Sequence, residues 1–183
     1  MNKWSINKGF EEKMTPFIAE IYKKLFNDNI IIERSTREEE NEKKLFMDIN
    51  FSIDTIIRFS NGSVLSLQEK SRKNRWLSKN EYTIQLLKDY NIKEKGEWFK
   101  LMAQFYFYGF ANKEFNGYSK YYILNVGILR LALNCTDITK YQLMENPPPL
   151  KSNFYCIPFV TIEKLDKEFN GLILHKSNDT NNR

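Results

Sequence analysis

The chain has 183 residues, 42% of them hydrophobic and 28% charged, with a net charge of +5; this is the make-up of one ordinary globular domain with room for a core. No apolar run approaches the roughly 20 residues of a membrane span and the first residues lack the apolar stretch of a signal peptide, so cytoplasmic residence and no membrane partner are expected. A single His175 leaves zinc-peptidase, His-metal nuclease and Ser-His-Asp chemistry without the histidines they need, and Cys135 and Cys156 read as core thiols rather than a disulfide framework or metal site.

The first element from the N-terminus is a helix over residues 7–27, where Phe10, Met14, Phe17, Ile18, Ile21 and Leu25 share one face at helical spacing. Pro16 follows Thr15, a pair that suits a helix start, so two pieces meeting at Thr15 are expected. Residues 33–44, ERSTREEENEKK, are a charge run that reads as a solvated loop or exposed helix end. A strand is expected at 45–49. A hairpin follows, with strands at 53–59 and 63–70 turned by Asn61-Gly62. Residues 81–87 read as a further strand and 91–97 as a polar linker. Residues 98–111 are aromatic and apolar nearly all round and read as a buried helix. Residues 121–126 are a β-prone strand, with 128–133 as its extension. Pro147, Pro148 and Pro149 give a rigid extended segment. Residues 154–162 read as a last strand, placed at an edge by Pro158, and 163–170 as a short helix. The outcome is one domain over residues 1–176 and a disordered tail at 177–183.

The chemistry concentrates in the hairpin. Strand side chains alternate, so Val64, Ser66, Gln68 and Lys70 share one face of its second strand, and Ser63, Leu65, Leu67 and Glu69 the other. Asp54 opens the first strand among Ile53, Ile56 and Ile57, where a desolvated carboxylate needs a partner. A carboxylate, an amide oxygen and a lysine brought together in this way can hold a hard divalent cation and a phosphate. Each also has a plainer reading: a strand-end aspartate, a cross-sheet glutamine, a solvent-facing lysine. Glu69 is expected to pair with an Arg or Lys, and becomes a ligand only if a bulge shifts the register. Asp48, six residues before Asp54, shares its face only if the intervening chain stays extended. Beyond Lys70, the side chains of Arg72, Lys73 and Arg75 suit phosphate contacts and Trp76 suits base stacking; a solvated basic loop is the equal alternative. Lys100 and Gln104 share a face of the expected 98–111 helix at i, i+4 and could reach a bound strand.

Asp54, a hairpin and Gln68-x-Lys70 together resemble the signature of the PD-(D/E)XK, or restriction-endonuclease-like, nucleases. The expected order of helix, three strands, helix and strand is similar to that family's αβββαβ core, a mixed central sheet flanked by helices. Gln68 departs from the acid most members carry, although some use Gln-x-Lys. The resemblance implies an endonuclease in which Asp54 and Gln68 bind Mg²⁺, with Mn²⁺ as a substitute, and Lys70 assists the attacking water. The nucleic acid is expected to be DNA, cut to 5′-phosphate and 3′-hydroxyl ends, and a homodimer is compatible with this. Many members add a glutamate from the first helix. Among Glu11, Glu12 and Glu20, Glu11 is nearest, about 60° from the centre of the apolar face at 100° per residue. Two rivals stay open: a nuclease-fold domain that only binds nucleic acid or protein, and a plain α/β interaction protein with a chance hairpin.

Overall fold

The computed structural model describes residues 3–27, 29–35 and 42–177. The middle of the charge run and the tail from residue 178 lie outside the described residues. In chain order the elements are α1 (Lys3–Phe26), β1 (Ile30–Arg34), α2 (Glu42–Phe51), β2 (Thr55–Phe59), β3 (Val64–Arg72), β4 (Glu81–Asp89), β5 (Glu94–Lys95), α3 (Glu97–Lys100), β6 (Phe105–Ala111), β7 (Tyr118–Asn125), α4 (Val126–Asn134), β8 (Leu143–Glu145), β9 (Asn153–Pro158), α5 (Phe159–Phe169) and β10 (Ile173–Lys176). The protein is mixed α/β. Its central sheet has the order β1-β2-β3-β6-β7-β10, and a second sheet has the order β5-β4-β9-β8. Within the central sheet β3 and β6 are parallel and every other neighbouring pair is antiparallel.

Both faces of the central sheet are covered. On one, Ile18 and Tyr22 of α1 pack against Ile57, Leu67, Phe107 and Ile123. On the other, Tyr106, Tyr108, Tyr122 and Leu124 meet Tyr82, Ile84 and Ile157 of the second sheet, together with Leu129 and Leu133 of α4 and Phe159 and Ile162 of α5. The two sheets therefore share one core. Among the described residues no helix is long and apolar enough to cross a membrane.

Several expected elements are corrected. α1 runs unbroken through Pro16, and the Thr15 hydroxyl donates to the Glu11 carbonyl at 3.1 Å in the turn that Pro16 weakens. A strand, β1, follows where none was expected; Ile31 faces outward while Ile30 and Ile32 pack on the α1 side. The expected strand at 45–49 lies in α2. A short apolar run fits either period, and Ser52, at φ 49°, turns the chain sharply into the hairpin.

The buried helix expected over 98–111 is instead the short α3, a connection and strand β6. With both faces of the sheet covered, Tyr106, Tyr108 and Phe110 fill one side and Phe105 and Phe107 the other. A strand buried on both faces reads as a continuous apolar run, which periodicity cannot tell from a buried helix. The extension expected at 128–133 is helix α4, started by Asn125, whose side chain accepts from the Ile128 amide at 3.1 Å. Pro158 does not mark an edge: β9 lies between β4 and β8. Its missing N–H falls at the last residue of the strand, where α5 begins. Cys135 is exposed and Cys156 half-buried, so neither is a core thiol.

Candidate metal and nucleic-acid site

The β2–β3 hairpin closes at Asn61-Gly62, where the Gly62 amide donates to the Phe59 carbonyl and the Phe59 amide to that of Ser63, both at 3.0 Å. Gly62 takes φ 82°, the left-handed region that favours glycine. The register pairs Thr55 with Leu67, and the Asp54 amide still donates to the Leu67 carbonyl at 2.9 Å. There the β2–β3 ladder ends, while β3 runs on to Arg72 beside β6. Where the backbone acceptor stops, the Asp54 side chain takes over. Its Oδ2 accepts from the Glu69 amide at 2.8 Å.

Alternation along β3 then sorts the candidates. Leu67 and Glu69 face α1. Glu69 is ion-paired to Arg34 and accepts from the Thr55 hydroxyl at 2.8 Å, as the expected pairing with an arginine requires. No bulge brings it round, because β2–β3 and β3–β6 keep unbroken register. Gln68, Lys70 and Arg72 face the other side, beside Tyr106, Tyr108 and Phe110 of β6. Thr55 shares the Glu69 side; Asp54 lies one residue before β2, where its amide shares the Leu67 carbonyl and the alternation of the pleat no longer places its side chain.

Gln68 is buried, and its Oε1 has no hydrogen-bond partner among the described residues. Such an atom is costly to leave unsatisfied. Burial pushes the Asp54 carboxyl well above the usual carboxylate range. The charges of Glu69, Asp48 and Glu97 raise it further, against the opposing pull of the Glu69 amide. An electron-rich amide oxygen and a carboxylate in acidic company together suit a small hard cation.

Lys70 is anchored. Its Nζ lies 3.2 Å from Oε2 of Glu97, the first residue of α3, and the Tyr106 hydroxyl donates to the other Glu97 oxygen. Burial would raise the Glu97 carboxyl, but Lys70, the two hydrogen bonds and Arg72 outweigh it and hold the group below its ordinary value. Two features position Glu97. Gly96 passes so close to β4 that an added Cβ would lie 2.6 Å from the Gln85 carbonyl oxygen. Arg130 of α4 donates to the Trp98 and Leu101 carbonyls at 2.7 and 2.8 Å, tying down the far end of α3. Sequence reasoning missed Glu97, which sits in the stretch read as a polar linker; only the packing of α3 against β4 and β5 brings it to Lys70.

Glu97→Gln is expected to destabilise the protein at pH 7 by about 2 kcal/mol, the range for a hydrogen bond to a charged group. The folded-state pKa of Glu97 is depressed, so its contribution is present above the unfolded value near 4.3 and lost as pH falls through the lower folded value. Urea unfolding across this window should show the variant and wild type converging on the acid side; a constant difference would contradict the assignment.

The remaining candidates are dispersed. Asp48 lies in α2, not on a strand extended from Asp54, yet its charge still bears on Asp54. Glu11 lies on α1, across the sheet from Gln68 and Lys70, and acts on Tyr118. Arg72 turns inward, its Nε donating to the Tyr108 hydroxyl at 2.9 Å and its Nη2 to that of Thr83. Lys73 sits over the Phe10 ring at 5.4 Å, and Arg75 lies beside the exposed Trp76 ring at 5.6 Å. Lys100 and Gln104 do not share a helix face. Lys100 ends α3, while the Gln104 side chain accepts from the Ser66 amide at 3.0 Å and clamps the start of β6 to β3.

Among the described residues no group of three or more His, Cys, Asp or Glu side chains is arranged to hold a metal ion, so a site here depends on the Gln68 amide. Compared with known proteins, the chain matches no family model, no curated protein and no solved structure.

Proposed function

We propose that the protein is a divalent-cation-dependent nuclease of the restriction-endonuclease-like kind, acting on DNA, with Asp54, Gln68 and Lys70 as its working residues. The observation that carries this reading is the buried Gln68 oxygen, without a partner among the described residues, two residues from Lys70 on the strand whose Glu69 amide holds Asp54, at the point where β2 parts from β3. The order of elements supports it. α1 is followed by the antiparallel β1, β2 and β3, then by β6 lying parallel to β3 after a crossover. This order resembles an αβββαβ core, with α2 between β1 and β2 and with β4, β5 and the four-residue α3 between β3 and β6.

Asp54 and the Gln68 Oε1 would hold Mg²⁺ or Mn²⁺; when bound, such an ion polarises the phosphate and makes its own water more acidic. One carboxylate and one neutral amide are a lean ligand set, so substrate phosphate oxygens complete it. Lys70, held by Glu97, presents its ammonium to the attacking water and to the charge that develops on the non-bridging oxygens. Water attacks phosphorus, the P–O3′ bond breaks, and the leaving oxygen takes a proton to give 3′-hydroxyl and 5′-phosphate ends. The test is cleavage of duplex, single-stranded and branched DNA and of RNA with Mg²⁺ or Mn²⁺ and with EDTA. Activity confined to the metal-containing reactions and lost in Asp54→Ala supports the reading. Nucleic-acid binding with no cleavage favours the binding-only domain, for which the Gln68 substitution is the motive.

A further inference from the structure

Between the two sheets, next to Lys70, lies a cavity of about 250 Å³. Three cationic side chains line it, Lys70, Arg72 and Lys79, against one carboxylate, Glu81. Arg72 is fixed from both sheets by Tyr108 and Thr83, which occupies two of the five donors a guanidinium carries. Trp76 stands at the wall, 45% exposed as a residue. The lining also includes Asn146, which donates to Ser152 at 2.9 Å.

A fixed guanidinium, Lys79, the Glu97-paired Lys70 and an exposed indole with Arg75 beside it supply the two halves of nucleotide recognition, anion capture and base stacking. The size limits the ligand. At about 250 Å³ it lies just under the roughly 300 Å³ at which small-molecule pockets begin, so it admits no more than one nucleotide and excludes a duplex. Lys70 and Arg72 line it, so it opens on the face of β3 that also carries Gln68. We propose that this cavity takes one unpaired nucleotide of the substrate strand, its phosphate held by Arg72 and Lys79 beside Lys70 and its base against Trp76. The proposal rests on the nuclease reading above and names the substrate as single-stranded at the point of contact.

The test is fluorescence anisotropy of a 3′-labelled oligothymidylate with the full-length protein in EDTA, with thymidine 5′-monophosphate and thymidine as competitors. The oligonucleotide is expected to bind, the monophosphate to displace it, and thymidine to compete at least about tenfold more weakly. Lys79→Ala and Trp76→Leu, both at exposed positions, should each weaken binding on the order of tenfold with unchanged melting temperature. Absence of binding, or binding indifferent to both exposed substitutions, overturns the pocket even in a protein that cleaves. Failure of cleavage with binding intact overturns the catalytic reading alone. Binding of the monophosphate with exclusion of the oligonucleotide overturns the strand assignment and makes a free nucleotide the ligand.

Discussion

Asp54→Ala should abolish divalent-ion-dependent cleavage, lowering the rate by on the order of a thousandfold or more. Loss of a metal's several kcal/mol of transition-state stabilisation has that size at about 1.4 kcal/mol per tenfold. Stability needs a second variant, because alanine also strands the Glu69 amide that Asp54 serves, a penalty of about 1–3 kcal/mol. Asp54→Asn keeps an acceptor oxygen at that amide and removes the charge. The asparagine protein should be as inactive as the alanine one and melt at or above the wild-type temperature, since burial and the neighbouring Glu69, Asp48 and Glu97 all disfavour a charged Asp54. An asparagine variant that cleaves at the wild-type rate would remove Asp54 from the site.

Gln68 separates catalysis from stability more sharply. Its Oε1 makes no hydrogen bond among the described residues and is buried, so Gln68→Ala removes an unsatisfied group rather than a bond. The expected melting temperature is close to wild type, while activity falls by orders of magnitude and is partly rescued by high Mn²⁺. Gln68→Glu restores the acid commoner at such a position and should hold metal as tightly or more tightly. Without metal it adds another carboxylate beside Asp54 and should lose stability that Mg²⁺ or Mn²⁺ returns. Activity assays and thermal melts of both variants, each with metal and with EDTA, make the comparison. An active Gln68→Ala protein would turn attention to Asp48, whose charge already reaches Asp54.

The parts of the fold legible in the sequence are those written in local chemistry. Asn61-Gly62 marks a real turn, and the alternation along β3 puts Gln68, Lys70 and Arg72 on one face and Glu69 on the other. Glu69 finds Arg34, as its register demands. Illegible parts depend on what lies above and below. Phe105 to Ala111 looked helical because both of its faces are buried, which erases the period-two signal. Arg72 looked like a surface cation because nothing local announces that β4 will bring Thr83 to it. Glu97 was invisible as a site residue, since its role comes from the crossover that lays α3 beside Lys70.

Whether Asp54 and Gln68 hold a divalent cation is decided by anomalous diffraction from crystals soaked in Mn²⁺. One peak is expected within coordination distance, about 2.1 Å, of an Asp54 carboxylate oxygen and the Gln68 Oε1, with Lys70 still on Glu97 and the peak absent in Asp54→Asn. A protein that cleaves DNA while its manganese peak lies elsewhere, or with Gln68 turned away from the ion, would contradict that arrangement.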